Sequence, residues 1–123
     1  MPDGPKTTLV LGASPRADRY SNMAVRSLRD HGHPVLAVGA RAASIDDLPI
    51  HVTIPGNTEV HTVTLYLNAS NQAVWEDRII ALKPRRIIFN PGAENERLFR
   101  RALAHGIEPL EACTLVLLAT GQF

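Results

Sequence analysis

Cysteine is nearly absent from this chain. Cys113 stands alone among 123 residues, so no internal disulfide framework can staple the fold, and a reducing compartment is expected. Aromatic residues make up only 5%, and no stripe of Lys and Arg runs between them, which argues against a nucleic-acid binder. Arg85-Arg86, following Pro84, reads as a solvated turn. Neither sign of charge dominates: 13 basic and 12 acidic residues give a formal net charge of +1, interspersed rather than blocked. No apolar run approaches the roughly 20 residues that cross a bilayer, and residues 1–5 lack the apolar stretch of a secretory leader. These absences predict a cytoplasmic protein without a membrane or nucleic-acid partner. A single domain over 1–123 is expected, with residues 1–5 a flexible N-terminus.

What is present is a series of short apolar runs separated by turn residues. Residues 7–11 form a buried strand entering Gly12. A loop follows, and Ser21 or Asn22 is placed to cap a helix that buries Ala24, Val25 and Leu28 and stops at Gly32. Residues 34–38 read as a second strand. Residues 42–59, interrupted by Pro49, Pro55 and Gly56, read as a connector with an extended piece near 50–54. Alternation at Val63, Leu65 and Leu67 marks a third strand. Residues 68–71 supply capping chemistry for a helix through Leu82, with Trp75, Ile79 and Leu82 on one face. Residues 87–89 form a fourth strand, followed by a helix burying Leu98, Phe99, Ala102 and Leu103. A fifth strand is expected over 107–111, and Thr114 is placed to cap a last helix through Thr120.

This order predicts an α/β, Rossmann-like, doubly wound parallel sheet of five strands in the order 3-2-1-4-5, with helices on both faces. Ligands of such sheets bind beyond the strand C-termini where the winding reverses, here expected between the first and fourth strands. The candidate loops are then Gly12-Ala13-Ser14, Gly39 to Arg41, Leu67-Asn68 and Asn90-Pro91-Gly92. Gly12 lets backbone approach a ligand, and amides of the loop and first helical turn can cradle a pyrophosphate, with Ser14 adding a hydroxyl. Arg16 and Arg19 flank that loop with forked donors. An NAD site presents Asp or Glu after the second strand, whereas this chain presents Arg41, which suits a ribose carrying a phosphate, as in coenzyme A or NADP.

Gly12-Ala13-Ser14 with Arg16, Arg19 and Ser21, then residues 35–38, 62–68 and Asn90-Pro91-Gly92, resemble the stand-alone CoA-binding domain family. Residues 111–114 resemble its last strand exit, so the likeness covers nearly the whole chain. That family is similar to the nucleotide-binding domain of the succinyl-CoA synthetase α subunit. The resemblance implies a Rossmann-like fold with coenzyme A or an acyl-CoA over the first-strand loop. Gly12, Ala13 and Ser14 would contact phosphates, Arg16 and Arg19 would line the entrance, and Arg41 would stand near the adenosine phosphate. Asn68, Asn90 and Gly92 would border the pantetheine arm. Many relatives carry Asn-Pro after the second strand, where this chain has Gly39-Ala40.

The five His show no metal-ligand spacing, and no acid pair or nucleophilic triad is legible, so a non-catalytic binding module is expected. Cys113 reads as a buried, inert thiol, with the sharper alternative that, at a strand exit, it comes near the CoA thiol and forms a mixed disulfide by exchange with oxidised CoA. The alternatives are an NADP-binding small oxidoreductase or sensor, and an interaction protein that kept the fold without a ligand. A homodimer through an exposed helix is left open.

Overall fold

A computed structural model describes residues 4–123 of the chain. Of the N-terminal segment expected to be flexible, residues 1–3 lie outside the described residues, and Gly4 and Pro5 lead into the sheet without regular structure. The strands are β1 (Thr8–Leu11), β2 (Val35–Val38), β3 (Ala43–Ile45), β4 (Leu48–His51), β5 (Thr62–Leu65), β6 (Arg86–Phe89) and β7 (Glu108–Glu111). The helices are α1 (Tyr20–Asp30), α2 (Ala69–Gln72), α3 (Glu76–Leu82), α4 (Glu96–Ala104) and α5 (Thr114–Ala119), with a 3₁₀ turn over Ala73–Trp75 joining α2 to α3.

The sheet has seven strands in the order β3-β4-β2-β1-β5-β6-β7, which corrects the five-stranded 3-2-1-4-5 arrangement. The difference lies in the connector. Residues 43–51 fold into an antiparallel hairpin, Ile45 opposite Leu48 and Ala43 opposite Ile50, and its second strand pairs parallel with β2. The hairpin takes the outer edge, so residues 62–65 return to the open side of β1. The winding therefore reverses between β1 and β5, and β6 sits one strand farther out.

Alternation along each strand sends side chains to two cores, as the two-residue strand period requires. Leu9, Leu11, Val63, Leu65, Ile87 and Phe89 pack with Ile79, Leu98 and Ala102 of α3 and α4. Val10, Ala37 and Ile50 pack on the other face with Val25, Leu28 and Leu118 of α1 and α5. Leu11 is in register with Val38 and Leu65, and Leu65 with Phe89. The strands therefore end level, and their exit loops share one rim.

Two capping expectations are corrected. Arg19, not Ser21 or Asn22, occupies the N-cap of α1, and no side chain caps it. Cys113 precedes α5, and Thr114 is already helical. Its amide is instead bonded at 2.9 Å by the Asn90 side-chain oxygen. The expected single helix through Leu82 is also broken by the 3₁₀ turn, and only Asn68 caps it, accepting from the Asn71 amide at 2.9 Å.

Candidate functional site

The β1 exit is built by interlocking backbone. The amides of Gly12 and Ala13 both donate to the Val38 carbonyl at 2.9 Å, so these two expected phosphate donors are engaged within the fold. Gly12 adopts φ +97°, and a Cβ there would come within 2.9 Å of the Tyr66 carbonyl oxygen. A Cβ on Gly39 would collide with the Ala13 carbonyl oxygen. Glycine is thus required at both places for the exits of β1, β2 and β5 to lie against one another.

Beyond Ala13 the loop is pinned by α1. Asn22, fully buried, donates to the Ser14 carbonyl at 2.9 Å, and the Ser14 hydroxyl accepts from the Arg16 amide at 3.2 Å. The first helical turn carries no acidic residue and no side-chain cap. An uncapped start leaves backbone N–H groups pointing out of the helix and concentrates the positive end of its dipole there.

These elements open onto a cleft of about 890 Å³, lined by the β1–α1 loop, the start of α1, residues 40–43, residues 66–68 and residues 91–93. That volume falls in the range of roughly 300–1,000 Å³ usual for small-molecule sites. Arg16, Arg19 and Arg41 all line it, and among the described residues the lining contains no Asp, Glu, His or Cys. Arg16 pairs with Asp18 at 3.1 Å on the exposed surface, a contact worth about 0–1 kcal/mol. Among the described residues, Arg19 and Arg41 make no ion pair. A smaller apolar annex of about 330 Å³ adjoins the cleft, lined by Leu11, Gly12, Gly39, Ala40, Leu67, Asn71 and Trp75.

Of the residues singled out from sequence, Gly12, Ala13, Ser14, Arg16, Arg19, Ser21, Arg41, Leu67, Asn68, Pro91 and Gly92 line the cleft. Gly39 lines the annex instead. Asn90 does not reach the cleft. It is buried, donating to the Thr64 hydroxyl at 2.7 Å and the Leu65 carbonyl at 2.9 Å, so it fastens β6 to β5 and α5 rather than bordering an arm. Cys113 lies past the edge strand β7, outside the lining of cleft and annex. The amide of Gly92 is occupied by the Glu94 carboxylate at 3.0 Å, while Asn90 to Ala93 close a turn with a 2.8 Å bond and Gly92 at φ +92°.

Tyr20, Tyr66, Ala43 and Trp75 were not singled out, yet all line the cleft or its annex. Tyr20 carried a legible signal, an aromatic beside the loop, and it is 71% exposed. Tyr66 follows the apolar run of β5, with its hydroxyl buried beside the Thr64 and Thr114 side chains. Burial pushes that hydroxyl up to about 12, so it stays protonated at neutral pH.

The sequence of a CoA binding domain family matches residues 6–119. An uncharacterized protein of known crystal structure shares 43% identity, covering 98% of this chain and 100% of its own, with a TM-score of 0.95. A hypothetical protein from Pyrococcus horikoshii OT3 is 17% identical, covering 92% of this chain and 81% of its own, with a TM-score of 0.84. The cell-free ID.343 protein from Thermus thermophilus is 21% identical, covering 97% and 91%, also with a TM-score of 0.84. The last two show the fold alone. No curated protein matches the chain.

Proposed function

The chain belongs to the CoA binding domain family, and from that premise we propose that it binds coenzyme A or an acyl-CoA at the C-terminal rim of the sheet, as a binding module rather than a catalyst. The observation that carries this reading is the meeting of the uncapped start of α1 with Arg16, Arg19 and Arg41 in a cleft whose lining, among the described residues, has no carboxylate. A helix N-terminus with the unpaired guanidinium groups of Arg19 and Arg41 favours a polyanion, and Arg16 would join them by exchanging its exposed pair with Asp18 for the ligand.

The residues present fit the cofactor in parts. Ser14 and the first turn of α1 would hold the diphosphate, with Arg16 and Arg19 beside it. Arg41 follows β2, where a phosphate-bearing ribose calls for a cation. The apolar annex with Trp75 suits the flat adenine ring, and Tyr66, Leu67, Pro91 and Gly92 would flank the arm. When bound, coenzyme A supplies a thiol that carries acyl groups. The lining offers guanidinium, hydroxyl and amide groups, which bind and orient; it has no thiol or imidazole to attack a thioester.

Calorimetric titration tests the reading. Coenzyme A is expected to bind saturably in the micromolar range and to change the fluorescence of Trp75, the sole tryptophan. Dephospho-coenzyme A should bind about 10-fold to 100-fold more weakly, the value of a charge-assisted contact of about 1.5–3 kcal/mol. Tighter binding of NADP than of coenzyme A favours an NADP-dependent oxidoreductase or sensor. No saturation with any nucleotide at millimolar concentration refutes the proposal. Release of free thiol from acetyl-CoA, above the protein-free rate, would refute the non-catalytic part.

A further inference from the structure

Behind the cleft rim lies a buried side chain that holds two of its loops together. Gln72, at the end of α2, is fully buried. Its Nε2 donates to the Leu67 carbonyl and to the Ala93 carbonyl, both at 2.7 Å. Leu67 and Ala93 each line the cleft, one from the exit of β5 and one from the exit of β6, where no backbone hydrogen bond joins the loops.

The orientation of this amide is dictated by its neighbours. Its Oε1 accepts from Asn95 Nδ2 at 2.9 Å, and the same Nδ2 donates to Glu76 Oε2 at 3.0 Å. Asn95 Oδ1 caps α4 by accepting from the Leu98 amide, so Asn95 has no freedom to turn over. Glu76 in turn accepts a forked pair of hydrogen bonds from Arg97, at 3.0 and 2.8 Å. Reversing Gln72 would set an oxygen against two carbonyl oxygens. Every donor of its amide group is used.

Resting on the coenzyme A reading, we propose that Gln72 is a positioning residue: it sets the spacing of the β5 and β6 exit loops and thereby the fit of the ligand beyond its diphosphate, the pantetheine and any acyl group. The adenosine end has different supports, Arg41 and the annex, which meets the Gln72 clamp at Leu67 and at Asn71, the neighbour of Gln72 on α2. The two ends of the ligand therefore respond differently to loss of the clamp. A merely structural role for Gln72 would not separate them.

The test compares coenzyme A with 3′-phosphoadenosine 5′-diphosphate, which keeps the 3′-phosphate and the diphosphate and lacks only the arm, by calorimetric titration of wild type, Gln72→Met and Asn95→Ser. Methionine keeps the volume and removes both donors; serine keeps a helix cap and frees the Gln72 amide, and serves if the methionine variant does not fold. The expected result is a loss of about tenfold or more in affinity for coenzyme A, with the armless diphosphate held within about twofold. Equal weakening toward both ligands, or no change toward either, overturns the inference while leaving coenzyme A binding intact. A wild-type chain that binds neither ligand removes the coenzyme A reading and this inference with it.

Discussion

Gly39 and Arg41 lie two positions apart and do opposite things. Gly39 serves the fold: no larger residue fits while the Ala13 carbonyl crosses the end of β2. Gly39→Ala is expected to cost about 1–3 kcal/mol, read as a lower denaturation midpoint, and to weaken nucleotide binding because the β1 loop must move. Arg41 lines the cleft and makes no ion pair among the described residues, so Arg41→Ala should leave the midpoint within about 0.5 kcal/mol. It should also abolish the preference for coenzyme A over dephospho-coenzyme A, which parallel titrations of the two ligands would measure. A preserved preference would assign the phosphate to Arg16 or Arg19. Residues of the first kind are hard to recognise from sequence, because a glycine after a strand looks the same whether it turns the chain or makes room. Arg41 was legible because its chemistry is unusual for that place, and Gln72 was not, because nothing local distinguishes a buried glutamine from a solvated one.

At the scale of elements, the parallel strands place their starts opposite the cleft, and the basic groups there crowd together. His33, just before β2, faces Lys6, His31 and Arg86, and its ring lies 4.8 Å from that of Phe123. His61, just before β5, faces Arg86, Lys6, Arg85 and His33, and its Nδ1 is 2.7 Å from the Thr62 hydroxyl. Burial first, and these cations second, hold both imidazoles below the ordinary value of 6.5. The folded chain therefore binds fewer protons than the unfolded chain near that pH, and stability rises with pH there. Stability is expected to be complete above pH 6.5 and to decline as pH falls through 6.5 toward the lowered folded values. Urea unfolding at pH 7.5 and 5.5 measures the decline, and a His33→Asn, His61→Asn double variant should flatten it; an unchanged slope would assign the effect elsewhere. At lower pH, Glu76 contributes in the same direction. Arg97 foremost, with Asn95 and Arg101, holds its carboxyl below 4.5 despite burial, so its stabilisation is lost as pH falls through that lowered value.

For the whole molecule, ligand binding and stability are linked, because a nucleotide that binds only the folded chain stabilises it by about 2.7 kcal/mol at a concentration 100 times its Kd. For a domain of this length that corresponds to a rise in Tm of roughly 10 °C, measurable by thermal denaturation with and without coenzyme A. No shift at a saturating concentration would contradict binding to the native state. The sequence by itself determined the α/β class, the strands expected at 7–11, 34–38, 62–67, 87–89 and 107–111, and the loop Gly12-Ala13-Ser14, because periodicity and turn chemistry depend on neighbours along the chain; Arg86, read as part of a solvated turn, instead opens β6 as a buried residue. It did not disclose the hairpin of Ile45, Leu48 and Ile50, since Pro49 and the polar Ser44, Asp46 and Asp47 break up its apolar residues and read as a connector. Only the tertiary structure decided that this hairpin takes the outer edge and that β5 lies beside β1. Strand order is settled by long-range pairing and by which faces the helices cover, and that order brought Tyr66 to the lining of the cleft and Trp75 to that of its annex, with Asn90 and Cys113 outside both linings.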